Sequence, residues 1–475
     1  MKTIPAKGLD HADILNQMGE YGGQDVNYRD SRTWSLVYHL NDKHTEFLKQ
    51  AYGLYFSENA LNPMAFKSLK RFETDVINMT ANMLHGDKNS VGVLTSGGTE
   101  SCLLPVLTYR DMAKSKRKLP FKPEIIAPES IHVAWTKAAK YFGVKIIYAP
   151  LREDFRVDVE AVRKMISRRT IMLVGSAPSY PHGVIDPIGE LSQVAQQYNL
   201  PLHVDACLGG FLLPFIEKNG GSIPVFDFRL PGVTSMSADV HKYGFAAKGA
   251  STVIYRDMKY MKHQFFIHAD WPGGVFASPA LLGTRPGGAF AAAWAAMHAL
   301  GEEGYCENAR QIMEITARLK TGINAVNGLK VLGRPDMSVF AYHSVDENIN
   351  IFAVGDQMEG RGWQIDRLQR PEGLHVMVVP GHAKIADEYL ADLKDAVQAV
   401  RSNPDLAVRG NAAMYGMIAK LPFRGMIKKE VLKMMQGLYS SKGDMPMDGG
   451  DNPLAVRVFA KVMNRLKRKK QGKDQ

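Results

Sequence analysis

Between residues 91 and 205 short apolar runs alternate with longer stretches in which apolar residues recur every three or four positions. The runs 91–94, 123–127, 145–148, 171–174 and 201–205 read as strands, and the intervening 102–113, 132–142, 159–167 and 188–198 carry helical spacing. Strand and helix in strict alternation predict a mostly parallel sheet covered on both faces. In such sheets functional residues gather at the carboxyl ends of the strands.

The pattern differs on either side. Residues 1 to about 60 read as an irregular lead-in, with 22–32 as loop and a helix over 45–55. A second helix is predicted over 66–83. After an apolar run at 251–255 comes an alanine-rich helix, 289–300. Beyond it, helices at 308–326, 356–360 and 385–400 accompany strands near 330–332, 338–343 and 375–379, the pattern of a smaller α+β domain. The expected division is 1–60 as a segment serving the small domain and a dimer, 61–302 as the large domain, 303–440 as the small domain and 441–475 as a polar, basic tail.

Composition narrows the class. With 45% hydrophobic and 23% charged residues the chain has the balance of a soluble globular protein. No run reaches the apolar length of a membrane helix, and residues 1–10 lack a signal core. Cys102, Cys207 and Cys306 match no zinc spacing, so no metal site is expected and a reduced, cytoplasmic setting is. Much of the +11 charge clusters at Arg465, Lys467, Arg468, Lys469, Lys470 and Lys473. It reads as a solvated tail, with weak contact to a membrane surface as the alternative. No aromatic interleaving or nucleic-acid motif accompanies it.

Four features carry chemistry. Lys242 lies between His241 and Tyr243, beside the glycine-containing turn 244–250. It reads either as a loop lysine or as one that holds a carbonyl cofactor as a Schiff base, with burial lowering its pKa. Ser96-Gly97-Gly98-Thr99 joins a strand to a helix, where backbone amides suit a phosphate; a plain tight turn is the other reading. It is neither a Walker loop nor a dinucleotide fingerprint. Asp205 ends a strand and reads as the partner of a protonated pyridine nitrogen or as a helix cap. His132, just past another strand, could lie over an aromatic ring, donate a proton or merely start a helix. In chain order, Gly98 and Thr99, His132, Asp205 and Lys242 supply the contacts that pyridoxal 5′-phosphate needs.

Longer motifs extend this. TSGGTES (95–101), PHGVIDP (181–187), PLHVDACLGGF (201–211), SADVHKYGFAAKGAS (237–251), GTRPGG (283–288) and MYGM (414–417) stand in order. From about Tyr38 to Tyr439 the chain resembles the sphingosine-1-phosphate lyases, within the wider group of pyridoxal-phosphate decarboxylases. The resemblance implies an α/β, fold-type I (aspartate aminotransferase-like) homodimer with active sites at the subunit interface. It implies that Lys242 carries the cofactor, Asp205 holds the pyridine nitrogen, His132 stacks on the ring, and Gly98, Thr99 and His241 contact the cofactor phosphate, joined by Thr284 from the partner subunit. It places Lys248 and Tyr180 among the catalytic residues and assigns Tyr38, Lys248 and the position of Asn62 to the substrate phosphate. The family often has histidine where Asn62 stands; asparagine can donate to a phosphate but carries no charge. Eukaryotic relatives carry a membrane anchor, and this chain resembles the soluble, bacterial type.

The activity so implied is carbon–carbon cleavage of a phosphorylated long-chain amino alcohol by a retro-aldol step, giving a fatty aldehyde and phosphoethanolamine. The competing reading is an amino-acid decarboxylase on the same scaffold. An aminotransferase would need an arginine to clamp a carboxylate, for which Arg285 is the one candidate. A non-catalytic binding scaffold has no need of all four cofactor residues.

Overall fold

A computed structural model describes residues 3–23, 25–116, 121–420 and 424–440, so the basic tail lies outside the described residues. Seven strands form the main sheet: β1 (Val91–Thr95), β2 (Glu124–Pro128), β3 (Lys145–Ala149), β4 (Thr170–Ser176), β5 (Leu202–Asp205), β6 (Val233–Ala238) and β7 (Ser251–Tyr255). Their order is β1-β7-β6-β5-β4-β2-β3. Neighbours from β3 to β6 are parallel, and β7 runs antiparallel to both β6 and β1. The short return from β6 to β7 carries no crossover helix, which makes that pair antiparallel.

The strands are continuously apolar because both faces are covered. Ile125, Met172 and Val253 join one core cluster with Trp135 and Tyr109, while the adjacent Ile126, Leu173 and Ile254 join the other. That alternation is the two-residue period of a strand with two buried sides. The sequence reading recovers every strand of this sheet except β6, whose residues Val-Thr-Ser-Met-Ser-Ala read as a small polar run. All six are buried. Its hydroxyls are satisfied internally: Ser235 Oγ lies 2.8 Å from His203 Nδ1 and accepts from Tyr109 Oη, also at 2.8 Å. A polar strand at the centre of the sheet is tolerated because its side chains bond to one another.

A small exposed hairpin, β8 (Phe266–His268) with β9 (Phe276–Ser278), precedes the second domain. There β10 (Leu329–Val331), β11 (Val339–Ser344), β12 (Asp366–Gln369) and β13 (Glu372–Met377) form an antiparallel sheet in the order β10-β11-β13-β12. The two helices predicted at 289–300 and 308–326 are one long element, Gly287–Ala325, broken at Gly301, whose φ of 57° is non-helical. Sequence reading also passes over the helix His11–Gly22, capped by Asp10, which accepts from the Ala12 amide at 2.8 Å. None of its residues is buried, so it has no apolar period fixed by a core. Among the described residues no helix is long and apolar enough to cross a membrane.

Candidate active site

The ends of β1, β2, β4, β5 and β6 surround one cavity of ≈ 380 Å³. Each strand delivers a different residue type to it. Gly98 and Thr99 follow β1 and open the helix Gly98–Lys116, His132 follows β2, Asp205 ends β5, and His241 and Lys242 follow β6. Tyr38, Tyr180 and Lys248 complete the predicted set inside this cavity.

Gly98 is required by a close approach. A Cβ there would come within 2.5 Å of Asp239 Oδ2, so only glycine lets the helix start so near the β6 loop. The preceding Gly97 has φ +146°, a conformation L side chains rarely adopt. The first amides of this helix point to the cavity end of the sheet, where an anion would be favoured.

Asp205 is buried and accepts from Trp135 Nε1 at 2.8 Å, the Cys207 amide at 3.2 Å and Ser237 Oγ at 3.3 Å. Burial works to raise its pKa, but the Trp135 bond and the nearby His132 and His203 outweigh it and hold the carboxyl below its ordinary 3.8. Its contact with the Cys207 amide closes a local turn and is no helix cap, since the next helix, Leu213–Lys218, has Leu212 at its N-cap. Yet every one of its hydrogen-bond donors is neutral, and among the described residues it has no salt bridge. A buried carboxylate facing a cavity with no cation of its own fits a protonated pyridine nitrogen. The donor set at the ends of these strands therefore fits pyridoxal phosphate.

Lys242 departs from the sequence expectation. Its Nζ lies 2.9 Å from Asp239 Oδ2. Burial pulls its pKa down, but Asp239, with a smaller contribution from Tyr38, outweighs that, and the amine is held well above its ordinary 10.5. The desolvated, neutral lysine expected from sequence is thus an ion-paired ammonium. Lys248 takes the lowered value instead. The residue as a whole is exposed, but its ammonium donates to Leu36 O at 2.8 Å and lies 5.2 Å from the Tyr38 ring centroid. Burial and the charge of Lys242 push it down to about 8.

His132 is both helix starter and cavity wall. It is the N-cap of Val133–Phe142, and its Nδ1 accepts from the Ala134 amide at 3.2 Å, which leaves the proton on Nε2. Burial lowers its pKa and keeps the ring neutral. His241 Nδ1 donates to Ala250 O at 2.6 Å. Tyr180 donates its phenol to Asp366 Oδ2 at 3.0 Å and stacks on His375 with ring centroids 4.3 Å apart.

Two predicted residues lie elsewhere on their own chain. Thr284 is exposed and accepts from Asn59 Nδ2 at 3.3 Å. Asn62 closes a local turn, its Oδ1 accepting from the amides of Met64 and Ala65 at 3.0 and 3.2 Å. Neither lines the cavity. Arg285 is unavailable as a carboxylate clamp: it is buried against Glu73 and donates to Leu94 O at 2.9 Å. Sequence reading missed Asp239, Asp366, Trp135 and the two cysteines. Only Asp239 carried a signal, its place three residues before the lysine, one turn away. Cys102 and Cys207, distant in sequence, both reach Asp205 here.

Comparison with known proteins gives the same picture. The model of the pyridoxal-dependent decarboxylase conserved domain matches residues 57–343. Sphingosine-1-phosphate lyase 1 of Rattus norvegicus is 43% identical over 93% of this chain and 78% of its own length. The sphingosine-1-phosphate lyase of Arabidopsis thaliana is 44% identical over 92% of this chain and 81% of its own. The solved Burkholderia pseudomallei sphingosine-1-phosphate lyase superposes with a TM-score of 0.84 at 36% identity, covering 93% of this chain and 98% of that one. A Lactobacillus brevis glutamate decarboxylase, at 21% identity and TM-score 0.74, shares the fold.

Proposed function

We propose, since the chain belongs to the pyridoxal-dependent decarboxylase family and within it to the sphingosine-1-phosphate lyases, that it cleaves the Cα–Cβ bond of a phosphorylated long-chain amino alcohol such as sphingosine 1-phosphate. The products are a long-chain aldehyde and phosphoethanolamine. The observation that carries this reading is the single cavity in which Lys242 and Asp205 stand together with Lys248 and Tyr38.

Lys242 and Asp205 would hold pyridoxal phosphate, which would supply an electron sink for bonds at the substrate Cα. The remaining work falls to side chains. The helix start at Gly98 and Thr99, with His241, binds the cofactor phosphate. His132 bounds the cavity with a neutral ring. Retro-aldol cleavage needs the β-hydroxyl proton removed and a proton returned to Cα. Lys248, poised near neutrality, and Tyr180, hydrogen-bonded to Asp366, are the groups able to exchange those protons. Lys242 is the third. Tyr38 and Lys248 hold the substrate phosphate.

Homodimer formation, cofactor-phosphate binding by Thr284 across the interface, substrate-phosphate binding by Asn62 and a cytoplasmic location belong to the same proposal. Phe56 and Met64, near Asn62 in sequence, and Ile267 and Val275, in the hairpin before Thr284, are all exposed, and apolar side chains left open in this way favour cover by a second chain. The amino-acid decarboxylase alternative rests on the shared fold alone.

The test is incubation of the cofactor-loaded protein with sphingosine 1-phosphate, followed by product analysis. A long-chain aldehyde with equimolar phosphoethanolamine is expected. Carbon dioxide released from an amino acid, with no aldehyde, would overturn the reading.

A further inference from the structure

Beneath the catalytic groups lies a second constellation. Cys102 is in the first turns of Gly98–Lys116, and Cys207 stands two residues past Asp205. Both are buried, both line the cavity, and their sulfurs and one Asp205 oxygen all lie within 4.8 Å of one another. The Cys102 sulfur is 3.6 Å from Asp205 Oδ2. Zinc bound at about 2.3 Å to sulfur and 2.0 Å to oxygen with tetrahedral angles sets those two atoms about 3.5 Å apart.

The surroundings resemble those of a metal ligand set. Trp135 Nε1 fixes one Asp205 oxygen at 2.8 Å. Ser237 Oγ lies 3.3 Å from both the Cys207 sulfur and the other Asp205 oxygen. Such outer partners orient metal ligands and raise affinity. All three residues line the cavity, which gives water access to a fourth coordination position. Two thiolates and a carboxylate select a soft ion over magnesium or calcium.

We propose that the cofactor-free protein holds one soft divalent metal ion, such as zinc, on Cys102, Cys207 and Asp205, and that this ion and pyridoxal phosphate exclude each other. The exclusion rests on the reading of Asp205 as the partner of the pyridine nitrogen; the metal site does not. One carboxylate cannot serve the metal and the ring nitrogen together. The metal would hold the empty protein in a form that must release its ion before it becomes active.

The full-length protein, freed of pyridoxal phosphate and kept reduced, is titrated with cobalt(II). A near-ultraviolet thiolate-to-cobalt band with tetrahedral visible bands should saturate at one equivalent and vanish on adding zinc. Cys102→Ser and Cys207→Ser should each abolish the band, while Cys306→Ser leaves it. Ser237→Ala, which keeps all three ligands, should weaken binding about 10–100-fold. Protein loaded with pyridoxal phosphate should show no band. Absence of the thiolate band in the cofactor-free protein, or its survival in both cysteine variants, would overturn the site. An undiminished band in loaded protein would overturn the exclusion. Failure to take up pyridoxal phosphate at all would sink the functional reading and leave the cobalt titration as a test of the site alone.

Discussion

Asp239 Oδ2 and Lys242 Nζ lie 2.9 Å apart, one turn from each other in the loop that leaves β6. The pairing sets the resting charge of the lysine on which the proposed chemistry depends.

Removing the negative charge should therefore cost stability. In Asp239→Asn the ammonium loses its partner while a quarter of its side-chain surface still meets solvent. A loss of about 3 kcal/mol is expected, the low end for breaking a buried pair. The carboxyl is depressed below 3.8, mainly by Lys242 against burial, so its contribution is present above that pH and disappears as pH falls through the folded value. Urea unfolding of the cofactor-free protein at pH 7 should show the deficit. Below pH 3.8 the deficit should shrink as the pH falls, and a deficit that does not change with pH would contradict the ion-pair account.

Lys248 should leave its mark on the pH profile. With burial and Lys242 pushing it down to about 8, it is charged below that pH and neutral above. Turnover should rise through pH 8 as the amine becomes able to accept a proton. KM for the phosphorylated substrate should rise over the same interval as the positive charge is lost. Lys248→Met should flatten both trends and lower turnover about 10²–10⁴-fold, the usual contribution of a positioned acid or base. A wild-type profile without a limb near 8 would remove this residue from the proton-transfer steps.

Trp135→Phe isolates the support of Asp205. The substitution keeps an apolar ring but removes the 2.8 Å donor that holds the carboxyl down. The Asp205 pKa should rise, and any pH-dependent change in the cofactor absorption spectrum of the loaded protein should move to higher pH than in wild type. Turnover should fall roughly tenfold, by analogy with loss of an outer-sphere partner. A spectrum with the wild-type pH dependence throughout would show that Trp135 serves packing only.

Gly98→Ala asks whether the helix start must touch the β6 loop. The new Cβ would meet Asp239 Oδ2 at 2.5 Å, and the carboxylate that pairs with Lys242 would have to shift. Stability should drop by about 1–3 kcal/mol, and pyridoxal phosphate should bind more weakly by equilibrium dialysis. Wild-type affinity in the variant would mean that the two elements can separate without consequence.

Subunit complementation addresses Thr284. Lys242→Ala and Thr284→Ala homodimers should each be impaired. In a mixed dimer one site would combine the intact Lys242 of one chain with the intact Thr284 of the other, and activity should recover. No recovery on mixing, with heterodimers verified by mass, would mean that both residues act within one chain.

Most of the α/β frame was legible because strands buried on two faces leave continuous apolar runs. Ile125 and Ile126 show why: each is needed by a different core. β6 escaped for the converse reason. Its serines are paid for by His203, Tyr109 and Asp205, partners that no local pattern reveals. In the site, Gly98, His132, Asp205 and Lys242 were legible because each stands where a strand ends. Asp366 and Tyr180 were not legible as a pair, since 186 positions separate them. The lowered pKa expected of Lys242 is reversed by Asp239, whose distance from the amine only the fold supplies, and that of Lys248 is lowered by burial and by the charge of Lys242.

Asp205 pairs in register with Ser237 on adjacent parallel strands. The distance between the acid and the lysine four residues beyond Ala238 is therefore set by strand geometry, whatever the length of the chain connecting them. The exposed turn around Asn219 and Gly220 should accept inserted residues, and a peptide tag placed there would leave both groups where they are. One residue added between Ser237 and Lys242 has no such latitude. It would reverse the faces or rotate the loop, carrying the amine away from the acid. The active centre is thus indifferent to chain length on one side of β6 and intolerant of a single insertion on the other, a practical guide to where this enzyme can be cut, labelled or fused.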